Sequence, residues 1–321
     1  MIRLNRVLFL MAVTVVLAPS PAAGKGSADI AALPAPVGQL TEVTGFGANP
    51  TNLQMFVYVP PVLRAHPSVL VALHYCTGSG PAMFDGTDYA SLADRYGFVV
   101  VYPSASREGH CFDVSSPAAL RHDGASDPVG IVSMVRYVQD TYRADHNRVY
   151  VTGISSGAMM TNVLLGDYPD VFAAGSAFMG VPFGCFATTD GSMWNSTCAH
   201  GDLVKTPEEW GDLVRAASPD HHGPRPRMQL WHGVLDDILF YPNFGEEIKQ
   251  WTNVLHAGLE PSFTDHPRPT WTHTQHTNVA GKVQVDAYSI ADAGHSLGFR
   301  GTGMAEIVIA FFGLDRHGPV G

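Results

Sequence analysis

The sequence predicts an α/β protein with a mostly parallel central sheet and helices on both faces. Three observations carry that prediction. Short β-branched and apolar runs alternate with stretches of helical period along most of the chain. The 321 residues, 45% hydrophobic and 15% charged, suffice for a large core, and no internal repeat or low-complexity linker divides them. Residues 149–157, Val-Tyr-Val-Thr-Gly-Ile-Ser-Ser-Gly, run from a β-branched strand into G-x-S-x-G and then into helix-compatible sequence.

Arg3 and Arg6 precede an apolar stretch from Val7 to Leu17 and a Pro- and Ala-rich segment with small residues near Ala22 and Ala23. This pattern predicts a secretory signal peptide over 1–23, too short to span a bilayer, and a secreted, extracellular mature protein. Residues 24–40 are rich in Ala, Gly and Pro and are expected to form a flexible lead-in to a single domain over 41–315. Within that domain, 54–59 and 68–74 read as strands, 89–96 as a short helix and 98–102 as a buried strand. Asp127 followed by Pro128 starts a helix whose Ile131, Val135, Val138 and Tyr142 share one face. Strand 148–152 and helix 156–165 follow, then a strand over 173–179 and an irregular stretch to about 206. A helix over 207–217, a strand over 228–231, a helix over 244–256, a strand over 283–290 and a closing helix over 303–312 complete the pattern.

Charge and cysteines narrow the function. A net charge of −10 with no cluster of Lys and Arg excludes a nucleic-acid surface, and a neutral or nonionic partner is expected. Cys76, Cys111, Cys185 and Cys198 are an even set in an oxidising compartment, so two disulfides are expected. Of three possible pairings, Cys185 with Cys198 closes a short loop and leaves Cys76 with Cys111; this pairing is preferred. Asn195-Ser-Thr is a glycosylation sequon inside that loop, whereas Pro50 disqualifies Asn49.

The chemistry centres on Ser155, whose hydroxyl needs a sharp turn, a base and oxyanion donors to act as a nucleophile. In α/β-hydrolases the acid and then the histidine follow the serine along the chain, each after a strand. Met228 to His232 leads into a turn with Asp236 and Asp237; Asp236 is the preferred acid and Asp237 its rival. His295, in a Gly-His turn after the last strand, is the expected base, and His232 is expected to shape its own turn. The oxyanion hole is expected to combine the Ser156 amide with that of Cys76, or alternatively Thr77, in the loop after strand 68–74. Alternatives fare poorly: His273 and His276 lack a third ligand, Gly78-Ser-Gly80 lacks a dinucleotide fingerprint, and no P-loop is present. No metal or cofactor is expected.

His-Tyr-Cys-Thr-Gly-Ser-Gly at 74–80, Gly-Phe-Val-Val-Val-Tyr-Pro-Ser at 97–104, Gly-Ile-Ser-Ser-Gly-Ala-Met-Met-Thr-Asn at 153–162 and Trp-His-Gly at 231–233 resemble the secreted acetylxylan esterases of carbohydrate esterase family one. Met-Gly-Val-Pro-Phe-Gly-Cys-Phe at 179–186 and the stretch 241–254 are similar to fungal members. The resemblance spans about residues 38–313. It implies an α/β-hydrolase fold, Ser155 as nucleophile, Asp236 as acid and His295 as base, although the family usually follows that acid with small polar residues, whereas here Val234-Leu235 precede it and Asp237-Ile238 follow. It also implies that Trp194 flanks the substrate cleft. The implied activity is deacetylation of xylan, or of a similar plant cell-wall polysaccharide, through an acyl-enzyme, with feruloyl ester or polyhydroxyalkanoate hydrolysis as the alternative; a monomer is expected.

Overall fold

The computed structural model describes residues 35–320. The signal segment 1–23 and residues 24–34 of the lead-in lie outside the described residues. Within residues 35–40, the Ala35 N–H donates to the Tyr142 hydroxyl (2.8 Å), the Gly38 N–H donates to the Val59 carbonyl (2.7 Å), and Leu40 begins a strand.

The chain runs β1 (Leu40–Val43), β2 (Gln54–Tyr58), β3 (Val69–Leu73), α1 (Gly80–Gly86), α2 (Tyr89–Tyr96), β4 (Val99–Ser104), α3 (Asp127–Tyr142), β5 (Val149–Ile154), α4 (Ser156–Asp167) and β6 (Ala174–Phe178). It continues through α5 (Ser196–Ala199), α6 (Pro207–Ala217), β7 (Arg227–Gly233), α7 (Pro242–Val254), β8 (Phe263–Asp265), β9 (Trp271–Thr277), β10 (Val283–Ile290) and α8 (Met304–Phe312). Ten strands form one sheet in the order β1-β2-β4-β3-β5-β6-β7-β10-β9-β8. The six strands from β4 to β10 run parallel, and antiparallel pairs flank them at both edges. This is the α/β-hydrolase fold.

Strand alternation sorts side chains to two cores. Val69, Val71, Leu73, Val149 and Val151 face α3, α4, α6 and α7, while Leu70, Ala72, Val100, Tyr102 and Tyr150 face α1, α2 and α8. Both faces being covered explains why β3, β4 and β5 read as unbroken apolar runs. Helix ends follow local chemistry. Pro128 sits in the first turn of α3, Thr206 and Glu209 close a reciprocal capping box on α6, and Gly97 and Gly313 end α2 and α8 in the left-handed conformation.

Two side-chain rows cross the sheet in register. Ser176, Gln229, Asp286 and Gln275 form a hydrogen-bonded polar row. Beside it Phe178, Trp231, Tyr288 and His273 stack with centroids 5.1, 3.8 and 4.2 Å apart. Both nitrogens of His273 are taken by Asp265 (2.8 Å) and Asp286 (2.7 Å), and His276 holds the Gly258 carbonyl. This histidine pair serves the sheet edge.

Candidate active site

At the carboxyl end of β5 the chain turns sharply into α4, and Ser155 occupies the turn with φ 55° and ψ −115°. A side chain rarely adopts that backbone, and the flanking glycines make it attainable. A Cβ on Gly153 would lie 2.2 Å from the Gly157 carbonyl oxygen, and one on Gly157 would lie 2.3 Å from that of Leu73. The elbow is pinned from below by the Ser155 N–H, which donates to the Phe178 carbonyl (2.9 Å).

His295, on the loop between β10 and α8, reaches this serine. Its Nε2 lies 2.8 Å from Ser155 Oγ and its Nδ1 lies 2.8 and 3.0 Å from the two oxygens of Asp236, on the loop after β7. An ionised carboxylate only accepts, so the proton of the neutral ring belongs on Nδ1 and Nε2 is free to accept from the serine hydroxyl. Three side chains widely separated in sequence thus form one hydrogen-bonded line. This is the geometry in which an imidazole can remove a hydroxyl proton.

Asp236 is buried, which by itself would raise its carboxyl. Hydrogen bonds from His232, His295 and the Ile238 amide outweigh burial and hold it well below the usual carboxylate range. The Leu239 N–H also donates to it (2.9 Å). His232 is fully buried, with Nε2 2.7 Å from the Leu239 carbonyl and 3.4 Å from Asp236, so it braces the same turn. Asp237 is exposed and stands outside this arrangement.

The loop after β3 faces the serine. The Thr77 N–H donates to the Gly109 carbonyl (2.8 Å), whereas among the described residues the amides of Cys76 and Ser156 have no hydrogen-bond acceptor. Cys76 is bonded to Cys111, and Cys185 to Cys198, the pairing preferred from the sequence. The Ser156 hydroxyl is occupied, accepting from the Phe112 N–H (2.8 Å).

Ser155 and His295 open into a cleft of about 640 Å³. Its walls include Tyr75, Cys76, Met83, Met159, Leu297 and Phe299, with Trp194 and Ile238 at the mouth. Trp194 is 47% exposed and rests edge-on against Phe186 (5.2 Å). The apolar wall residues were not singled out in the sequence; helical periodicity marks Met159 only as core, and no local pattern separates a cleft wall from packing. Asn195 caps α5 through the Cys198 amide, and its Nδ2 donates to the carbonyls of Cys185 and Ala187 (3.4 and 3.3 Å).

Residues 53–199 match the family model described as Esterase PHB depolymerase. Acetylxylan esterase A of Aspergillus oryzae is 46% identical over 242 residues, 74% of this chain and 79% of that protein. Feruloyl esterase B of Talaromyces funiculosus is 44% identical over 86% of this chain and 77% of its own length. The solved structure of an acetyl xylan esterase from Aspergillus awamori superimposes with a TM-score of 0.81 at 39% identity, covering 86% of this chain and all of that one. A shared fold, high identity across most of the domain and the elbow at Ser155 converge: the chain belongs to the acetylxylan esterase family and is a carboxylic ester hydrolase.

Proposed function

We propose that this protein is a secreted serine esterase that removes acetyl groups from xylan. Ser155 Oγ attacks the acetyl carbonyl while His295 Nε2 takes its proton, and Asp236 stabilises the imidazolium that results. The oxyanion is received by the Cys76 and Ser156 amides, which are free to donate. The tetrahedral intermediate then collapses: the ester C–O bond breaks as His295 gives its proton to the departing sugar oxygen, which leaves as a hydroxyl. Water, deprotonated by the same imidazole, releases acetate from the acyl-enzyme.

The observation that carries this proposal is the single imidazole in hydrogen-bond contact with both Ser155 Oγ and Asp236. The substrate rests on the relatives' names and on a cleft whose mouth offers Trp194 to a sugar face. Two disulfides support export to an oxidising compartment. A glycan on Asn195 would leave one Nδ2 proton for the loop carbonyls, which is compatible with the cap.

Feruloyl ester hydrolysis is the second reading. The cleft far exceeds the room an acetyl group needs, its walls carry Met83, Met159, Leu297 and Phe299, and a feruloyl esterase is among the relatives. Acetate released from acetylated xylan, measured beside ferulate released from feruloylated oligosaccharide, separates the two. Ser155→Ala should lower kcat by about 10⁵–10⁶-fold on either ester. Full activity in that variant would remove the serine mechanism altogether.

A further inference from the structure

We propose that His74 is a positioning residue for the oxyanion hole, fixing the direction in which the Cys76 amide points. The proposal rests on the serine-esterase reading above and extends it to a residue outside the triad.

His74 is fully buried at the carboxyl end of β3, against the ring of Phe112 (centroids 4.7 Å apart). The Ala105 N–H donates to its Nε2 (3.0 Å). A backbone amide cannot accept, so Nε2 is unprotonated and the ring proton is on Nδ1. That proton points at the Tyr75 carbonyl oxygen, 2.6 Å away. Burial pushes the imidazole down to about 4, against the opposing pull of the Tyr75 carbonyl, so the ring stays neutral and the tautomer is kept.

The Tyr75 carbonyl and the Cys76 N–H are two ends of one peptide unit. No cis peptide bond occurs among the described residues, and a planar trans unit holds its N–H antiparallel to its C=O. Anchoring the oxygen on His74 therefore aims the hydrogen of Cys76 in the opposite direction. The Gly78 N–H secures the same oxygen from another side (3.0 Å), and a Cβ on Gly78 would meet that oxygen at 2.9 Å and the His74 ring at 3.2 Å. The disulfide to Cys111 and the Thr77–Gly109 hydrogen bond hold the loop's location. Those two contacts act on Cys76 and Thr77, whereas the carbonyl end of the Tyr75–Cys76 peptide is held by His74 together with the Gly78 N–H.

Two substitutions separate the functions of the ring. In His74→Asn the amide nitrogen can replace Nδ1 and keep the Tyr75 tether. In His74→Gln the polar group reaches the Ala105 side, and the tether is lost. His74→Gln should lower kcat about 10- to 100-fold with KM nearly unchanged, and should weaken a phosphonate transition-state analogue by the same factor; His74→Asn should stay within a few-fold of wild type. Equal activity of both variants to wild type, or a fall in His74→Gln expressed in KM alone, would overturn the proposal. If His74→Gln does not fold, imidazole ¹⁵N spectra of the wild-type protein decide instead. A His74 proton on Nδ1 at neutral pH, shifted when the phosphonate binds, supports the role; a proton on Nε2, or no response, refutes it. Loss of activity in Ser155→Ala is read separately, so failure of the serine mechanism and failure of this proposal are distinguishable.

Discussion

Asp236 and Asp237 adjoin in the chain and differ entirely in environment. Asp236 is buried and accepts hydrogen bonds from the Ile238 and Leu239 amides and from His295, while Asp237 is exposed. Replacing a carboxylate that fixes a histidine tautomer costs about 10⁴-fold in a well-characterised serine hydrolase. We therefore expect Asp236→Asn to lower kcat by about 10³–10⁴-fold and Asp237→Asn to leave it within twofold, measured on p-nitrophenyl acetate. The reverse result would reassign the acid. At this scale the sequence was informative about Ser155 and His295, because a strand followed by a glycine turn exposes whatever residue sits on it. It left Asp236 and Asp237 open because side-chain direction over a turn depends on which amides lie beneath. It left Cys76 and Thr77 open for a similar reason: the Thr77 amide is taken by Gly109, more than thirty positions further along.

Among the elements, the central strands and the larger helices were legible because burial on both faces writes itself as apolar runs and caps leave characteristic residues. β9 was not, since Trp-Thr-His-Thr-Gln-His-Thr mixes buried and half-buried positions and its histidines imitate a ligand pair. α1 begins Gly-Pro and reads as a turn; Ser79 makes it a helix by accepting from the Ala82 amide. The four residues of α5 are too few to show a period, and β1 lies in sequence that resembles a linker. The irregular segment between β6 and α6 is stapled by Cys185–Cys198, whose partners are 13 residues apart. Removing the staple with Cys185→Ala/Cys198→Ala should cost about 3 kcal/mol of unfolding free energy, read from the urea midpoint. Because this segment carries Trp194 and not the Ser155–His295–Asp236 line, the proposed function predicts that KM for acetylated xylan rises while kcat changes little. An unchanged KM would separate the segment from substrate binding.

For the molecule as a whole, two buried carboxyls set a dependence of stability on pH. Burial pushes Asp167, at the end of α4, up to about 9, and among the described residues neither of its oxygens has a hydrogen-bond partner. Glu247 is likewise pushed up to about 8 by burial, against the lowering effect of the Asn162 amide. Both raised groups hold protons when folded that the unfolded chain releases above about pH 4. Their contribution is therefore fully present below that pH and is lost as pH climbs through 8 to 9, at up to about 1.4 kcal/mol per pH unit per group. The thermal midpoint should fall between pH 5 and 9, and Asp167→Asn should flatten that decline; identical slopes in the two proteins would contradict the assignment.

Of the five tryptophans, Trp210, Trp231, Trp251 and Trp271 are buried and Trp194 stands 47% exposed at the mouth of the cleft. The protein thus carries its own optical probe. Iodide in solution should extinguish the emission of one indole and spare the other four, so any ligand that covers Trp194 can be titrated by the shielding it confers, with no label and no turnover.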